Sequence, residues 1–173
     1  MSELRGNLWN AWNKIDDWFE KYWGMYWDDV GQSGEWTDGV ITPFIVTELA
    51  PALGCKPVRL EQTGQKDRRR ADYILLKDEK ELVYIEHENS SKDVIEELKK
   101  LLPAKVPLKV VVTYDELDML KGLAKDIQRR VQENKDGSDW LFIGGVFKEN
   151  EDVKWVAYSI STLDNKATLT ELG

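Results

Sequence analysis

Three carboxylates at the ends of two predicted strands are the residues of this chain whose spacing favours chemistry. Asp72 lies in the segment 70–76, and Glu86 and Glu88 lie in the segment 82–90. Both segments are rich in β-branched residues, leucine and tyrosine, and a short turn-forming stretch separates them, which predicts two buried strands. Burying an unpaired carboxylate is unfavourable, and a cluster of three needs a compensating cation. The pattern therefore predicts a divalent-metal site.

The geometry of this hairpin decides whether the carboxylates meet. Side chains alternate along a strand, so Glu86 and Glu88 share one face and His87 points to the other, where a hydrogen-bonded structural role is expected for it. A three-residue loop at 78–80 places Asp72 opposite Glu86, at about 5 Å. A two-residue loop shifts the pairing by one residue and moves Asp72 to the other face. Convergence therefore requires an odd loop or a bulge.

Length, composition and charge bound the class of protein. The 173 residues, with 42% hydrophobic and 32% charged residues, predict one globular domain. No apolar run is long enough to span a membrane, no signal-peptide segment is recognisable, and the single cysteine, Cys55, excludes an internal disulfide, so we expect a cytoplasmic protein. The net charge of −8 does not favour extended nucleic-acid binding, although an acidic nuclease can use a local basic rim and metal ions.

The elements that must position the carboxylates follow from periodicity and from capping residues. The predicted elements are a helix over 4–28, a helix from Thr42-Pro43 to Gly54, a strand at 57–62, the two carboxylate strands, a helix from Ser90 or Ser91 to Leu102, a strand at 108–113, a helix over 115–133, strands at 140–147 and 153–159, and a polar tail after 161 that frays. The step from residue 82 to residue 113 predicts a right-handed parallel crossover in a mixed sheet with helices on both faces. We expect one domain, with an aromatic helix at 1–30, a core at 40–113 and an extension at 114–160.

The order helix, strand, strand, strand, helix, strand, with acidic residues on the second and third strands, resembles the PD-(D/E)xK nuclease-like superfamily, the restriction-endonuclease-like fold. The resemblance covers residues 40–113. The family's aspartate corresponds to Asp72, its second acidic residue to Glu86, and a glutamate in its first core helix to Glu48. The resemblance implies an α/β fold and hydrolysis of phosphodiester bonds in DNA or RNA with one or two Mg²⁺ or Mn²⁺ ions, held by Asp72 and Glu86 with help from Glu88 or Glu48.

Two residues depart from the family pattern. Ala71 replaces the proline of the motif, and Glu88 replaces its lysine. Glu88 can serve as a second metal ligand or accept a proton from the attacking water. Lys92, in the first turn of the following helix, is the nearest candidate for the missing cation. The basic run Arg68, Arg69 and Arg70 either contacts nucleic-acid phosphates or forms a solvated lead-in that pairs with the carboxylates.

Tryptophan is concentrated at the N-terminus, where six of the eight tryptophans fall within the first 36 residues. Trp9, Trp23 and Trp27 lie beside the apolar stripe of the predicted first helix, which favours a wide buried face. The alternatives are a homodimer or protein-partner interface and a platform on which bases stack. Two functions follow: a metal-dependent nuclease, or a catalytically degenerate member of the fold that regulates a partner through this helix.

Overall fold

A computed structural model describes residues 2–18, 20–21, 40–59, 71–147, 153–163 and 166–172. Its strands are β1 (Lys56–Arg59), β2 (Tyr73–Lys77), β3 (Lys80–Glu88), β4 (Leu108–Tyr114), β5 (Asp139–Phe147), β6 (Val153–Leu163) and β7 (Lys166–Leu172). Its helices are α1 (Glu3–Trp12), α2 (Thr42–Phe44, π-helical Ile45–Leu49 and Ala50–Ala52 in succession), α3 (Val94–Leu101) and α4 (Leu117–Glu133). The protein is α/β, as its sequence predicts. No helix within the described ranges has both the length and the apolar character needed to cross a membrane.

The seven described strands form one mixed sheet in which spatial order follows chain order, from β1 to β7. Strands β3, β4 and β5 run parallel. The pairs β1–β2, β2–β3, β5–β6 and β6–β7 are antiparallel. Helices α3 and α4 therefore make the two parallel connections, and the first of these is the crossover that the sequence predicts between residues 82 and 113.

The sheet separates two hydrophobic cores. On the first face, here the α1/α2 face, helices α1 and α2 cover strand residues that include Tyr73, Val83 and Ile85. On the second, the α3/α4 face, helices α3 and α4 cover Ile74 and Tyr84. Because side chains alternate along a regular strand, odd and even residues of β2, and of β3 from Val83 onwards, enter different cores.

The β2–β3 hairpin has a two-residue loop, the shorter of the two loops considered from the sequence. Lys77 pairs with Lys80, and the loop residues Asp78 and Glu79 have φ angles of 50° and 61°. Two consecutive residues in the left-handed region form the tight turn whose twist matches that of antiparallel strands.

A bulge in β3 compensates for the short loop. Leu76 pairs with Glu81 and Leu75 pairs with Val83, so Leu82 is an extra residue without a partner on β2. Beyond the bulge Tyr73 pairs with Ile85, and one further step along the same register sets residue 72 opposite residue 86. Of the two ways in which the carboxylates could converge, an odd loop or a bulge, the structure has the bulge.

Helix α1 ends at Trp12, so the single helix predicted over 4–28 was wrong. The amide of Lys14 donates to the carbonyl of Ala11 and closes a tight turn, after which residues 15–18, 20 and 21 are helical again; residues 22–28 lie outside the described part. Asn13, at the break, is a residue of low helix propensity. The buried Arg5 anchors α1 to the sheet through its Nη1, 3.0 Å from Oδ1 of Asp139.

Two strand predictions need correction at their ends. Strand β1 begins at Lys56 and its described part ends at Arg59, whereas residues 60–62 of the predicted strand lie outside the described part. The segment after residue 161, predicted to fray, forms the end of β6 and the whole of β7.

Helix α4 stabilises β7, the last strand in the sheet order. The amide of Ala167 donates to Gln132 Oε1 at 2.6 Å, and Gln128 Nε2 donates to the carbonyl of Ala167 at 2.8 Å. Two helix side chains thus take the backbone groups that a further strand would otherwise pair with.

A buried ion pair lies on the α3/α4 face, at the start of the parallel strands. Lys109 Nζ is 2.5 Å from Asp136 Oδ2, and both side chains are almost fully buried. Trp140 Nε1 also donates to this carboxylate, at 2.9 Å, and the ammonium lies 5.0 Å from the centre of the Trp140 ring. These contacts satisfy a charge pair that would be unfavourable without them.

Candidate metal centre

Strand β3 directs Glu86 and Glu88 to the α3/α4 face. Its residue Tyr84 belongs to the core on that face, and Ile85 to the opposite core. His87 therefore points to the α1/α2 face, where its Nε2 lies 3.0 Å from the hydroxyl of Tyr114. Burial lowers the pKa of His87 to about 4, which makes it a neutral structural group in agreement with the role expected from the sequence.

Asp72 is the residue immediately before β2, and its side chain contacts β3. Its Oδ2 accepts a hydrogen bond at 3.0 Å from the amide of His87, which holds the carboxylate against the strand beside Glu86. Asp72 also affects both glutamates electrostatically, since its charge raises the pKa of Glu86 and that of Glu88. The bulged hairpin therefore brings the three sequence-predicted carboxylates into one neighbourhood.

Helix α3 adds a carboxylate that the sequence analysis missed. Carboxylate oxygens of Glu86, Glu88 and Glu97 all lie within 4.8 Å of one another, and we call these three residues the glutamate cluster. Val94 and Leu98 of α3 are buried against the sheet. Glu97 follows Val94 by three residues and precedes Leu98, so it occupies the apolar stripe of the helix. A glutamate among the apolar residues of a helix stripe is the sequence signal by which Glu97 could have been identified.

Burial and mutual repulsion dominate the electrostatics of the cluster. Burial, followed by the charge of Asp72, raises the pKa of Glu86 to about 10. Burial also raises the pKa of Glu88 to about 7, with the charges of Glu97 and Asp72 contributing. Glu86 therefore favours its protonated form at neutral pH unless additional positive charge is present.

Lys100, one turn after Glu97, is the cation that contacts the cluster among the described residues. Its Nζ forms an ion pair with Glu97 and lies 3.9 Å from Oε1 of Glu86. Burial alone would lower the pKa of Lys100, but the contact with Glu97 and the charge of Glu86 outweigh it, so the pKa is raised. One ammonium cannot neutralise three glutamates and Asp72.

Unsatisfied polar atoms mark the same place. The side chain of Glu86 is 0% exposed, and neither of its oxygens accepts a hydrogen bond from the residues that the structure describes. The neighbouring carboxyl groups of Glu86 and Asp72 can share a hydrogen bond only when one of the two is protonated. Thr113, which pairs with Glu88 across β3 and β4, is also buried, and its Oγ1 has no hydrogen-bond partner in the described part of the chain. Buried acceptors without donors fit a bound cation, and an all-oxygen set of carboxylates suits Mg²⁺ or Mn²⁺.

The remaining predicted site residues lie apart from the cluster or outside the described part. Lys92 is exposed, and no ion pair of its side chain is found in the described residues. Glu48 lies on α2, which packs on the opposite face of the sheet, so the structure does not bring it to the cluster. Arg68, Arg69 and Arg70 lie outside the described residues.

The N-terminal tryptophans that the structure describes belong mainly to the core. Trp9 is 6% exposed and Trp12 is fully buried, with its ring packed edge-on against Phe44. Trp9 therefore offers little surface to a partner, whereas Trp23 and Trp27 lie outside the described residues.

Comparisons of the chain with protein-family models, with curated proteins and with solved structures find no match. The case for a function therefore depends on the residues of the site.

Proposed function

We propose that this protein is a Mg²⁺- or Mn²⁺-dependent phosphodiesterase of the PD-(D/E)xK nuclease type that acts on DNA or RNA. The observation that carries the proposal is the glutamate cluster, in which three carboxylates meet within 4.8 Å. The order of α2, β1, β2, β3, α3 and β4 supports it, since this is the element order of the family core. Asp72, immediately before β2, and Glu86, on β3, also resemble the family's acidic pair.

The cation would be held by Glu86, Glu88 and Glu97. Each can offer a carboxylate oxygen to one point, and within the described residues the oxygens of Glu86 accept no hydrogen bond, with only the Lys100 ammonium 3.9 Å away. Asp72 adds negative charge beside them, while its Oδ2 is already engaged by the amide of His87. Asp72 is therefore an orienting neighbour or an additional ligand, rather than the centre of the site.

The chemistry follows from the charge of the site. A divalent cation bound there supplies positive charge that stabilises a phosphate group and the water that attacks it. Glu88 is half-buried, so it reaches the solvent side of the cluster, where it can either ligate the cation or accept the proton of the attacking water. In the metal-free site the cation beside the carboxylates is Lys100, which is 29% exposed, rather than Lys92.

The first test of the proposal is metal binding. Mn²⁺ at a concentration far above its Kd should raise the melting temperature, because it binds the folded state alone. Glu97→Gln should remove most of this rise. Glu96→Gln is the matched control, since Glu96 is exposed and pairs with Lys99 on the same helix. Equal responses of the two variants would exclude the cluster as the binding site.

The second test is hydrolysis. The protein should cut a single-stranded, double-stranded or branched nucleic acid in the presence of Mg²⁺ or Mn²⁺, and Glu88→Gln should slow cutting by about 10²–10⁴-fold if Glu88 is the general base. Glu96→Gln again serves as the control for loss of a surface charge on α3.

A metal-binding protein without activity is the second candidate, in which the fold engages a partner. Two observations favour it: Glu88 stands where the family has lysine, and the side chain of Glu86 is fully buried, which restricts access of a large substrate. Mn²⁺ binding at the cluster without cleavage of any substrate class would select this candidate.

A further inference from the structure

The position of Lys100 suggests how the proposed metal site is controlled. Its ammonium contacts Glu97 and lies 3.9 Å from Glu86, so it occupies the region bounded by two of the three glutamates. Because one carboxylate oxygen of each glutamate lies within 4.8 Å of the others, an ammonium and a divalent cation placed among them would compete for the same oxygens.

We propose that Lys100 and a divalent cation exclude each other at the glutamate cluster, so that Lys100 is a built-in competitor that metal must displace. The inference rests on the proposed metal site and adds its regulation. In the metal-free protein the ammonium of Lys100 pairs with Glu97 and lies beside the buried carboxyl group of Glu86. On metal binding, the same ammonium leaves towards solvent.

The side chain of Lys100 is suited to such an exchange. It is 29% exposed, so its path to solvent is open, whereas the side chain of Glu86 is 0% exposed and stays in place. Lysine carries its charge on a flexible four-carbon stem that can remain packed while the ammonium moves. Helix α3 supplies both Glu97 and Lys100, so the exchange requires a change of rotamer and no movement of the sheet.

The matched comparison is between two neighbouring lysines of α3. Lys100→Met removes the competing ammonium and keeps most of the apolar stem. Lys99→Met makes the same change of net charge at an exposed residue that pairs with Glu96. Calorimetric titration with Mn²⁺ should give a Kd for Lys100→Met at least about tenfold lower than that of the wild type, equivalent to about 1.4 kcal/mol. Lys99→Met should bind Mn²⁺ like the wild type.

A second measurement uses the wild-type protein and needs no variant. The rate of acetylation of each lysine, read by mass spectrometry with and without Mn²⁺, reports whether an amine becomes accessible. Displacement predicts that Mn²⁺ raises the rate at Lys100 several-fold and leaves Lys99 unchanged. A role limited to electrostatic repulsion, with the ammonium in place, would leave the rate at Lys100 unchanged.

The outcomes separate this inference from the proposed function. Equal or weaker Mn²⁺ binding by Lys100→Met, or an unchanged acetylation rate at Lys100 in protein that binds Mn²⁺, overturns the exclusion and leaves the metal site standing. Absence of Mn²⁺ binding in the wild type and in Lys100→Met overturns both. Tighter binding by Lys100→Met together with faster acetylation of Lys100 supports both.

Discussion

Glu86→Gln should stabilise the metal-free protein at neutral pH. The wild-type carboxyl group is buried beside Asp72 and has a pKa raised to about 10 from its ordinary value of 4.5. The folded state therefore retains a proton that the unfolded state releases above pH 4.5, and rising pH favours unfolding. Glutamine is neutral at every pH and has nearly the same shape, and its amide can donate to Asp72.

The size of the effect follows from this pKa difference. Each pH unit between the two pKa values changes the free energy of unfolding by about 1.4 kcal/mol. Since pH 7 lies about 2.5 units above 4.5, Glu86 lowers the stability of the metal-free wild type by about 3 kcal/mol at pH 7. Near pH 4.5 this contribution vanishes, so the wild type and the variant should differ there only by the packing of the new amide.

The assay is urea denaturation in EDTA at several pH values between 4.5 and 8.5, for the wild type, Glu86→Gln and the surface control Glu96→Gln. The stability difference between Glu86→Gln and the wild type should widen steadily with pH. Ionisable groups that do not interact with Glu86 are common to both proteins and cancel in this difference. A difference that is independent of pH would show that Glu86 ionises normally in the fold, and the charge argument for a metal would fail.

Three further perturbations test other parts of the fold. Deleting Leu82, the bulge residue, should keep the carboxylates in register and preserve the Mn²⁺ response at a cost of about 1–2 kcal/mol in unfolding free energy; loss of the response in folded protein would contradict the hairpin geometry. Asp136→Asn should cost about 3–5 kcal/mol in urea denaturation because it leaves Lys109 buried without a counter-charge; adding Lys109→Met should recover much of this loss, whereas a mild single-variant effect would contradict burial of the pair. The buried neutral imidazole of His87 has a pKa lowered to about 4, so the wild type should lose about 3 kcal/mol of unfolding free energy as the pH falls from 6.5 to 4. His87→Gln should not show this loss. The same loss of stability in the variant would mean that the imidazole ionises in the fold as it does in the unfolded chain.

Much of the site on β3 could be predicted from alternation alone. Period-two alternation places Glu86 and Glu88 on one face and His87 on the other, and the hydrophobic runs around them identify the strand. Whether Asp72 joins them depends on a single residue of register. Sequence patterns do not distinguish a three-residue loop from a two-residue loop followed by a bulge, because both give the same spacing between the two carboxylates.

The contribution of α3 could not be predicted in the same way. Lys92 was chosen as the compensating cation because it is nearest to Glu88 along the chain, but distance in sequence is a poor guide once a helix packs back across the sheet. The stripe of Val94, Leu98 and Leu101 fixes which side of α3 faces β3, and so brings Glu97 and Lys100 to the cluster. Glu97 on this stripe was available as a signal, whereas its approach to Glu86 depends on the tertiary packing.

The last strand shows the opposite failure of local reasoning. A polar segment after residue 161 has no apolar run, which favoured a frayed tail. Strand β7 forms because β6 offers a ladder of backbone partners and because Ala167 finds a place in the core. Tertiary context outweighed the weak local propensity.

The two glutamines of α4 that hold Ala167 also bear on the behaviour of the protein at high concentration. A terminal strand with free amides and carbonyls is a template on which other chains can add, and this is a common start of aggregation. Gln128 and Gln132 engage both backbone groups of Ala167, so a neighbouring molecule cannot extend the sheet there without breaking two hydrogen bonds. At Ala167, strand β7 is thereby protected against edge-to-edge assembly by side chains of its own molecule.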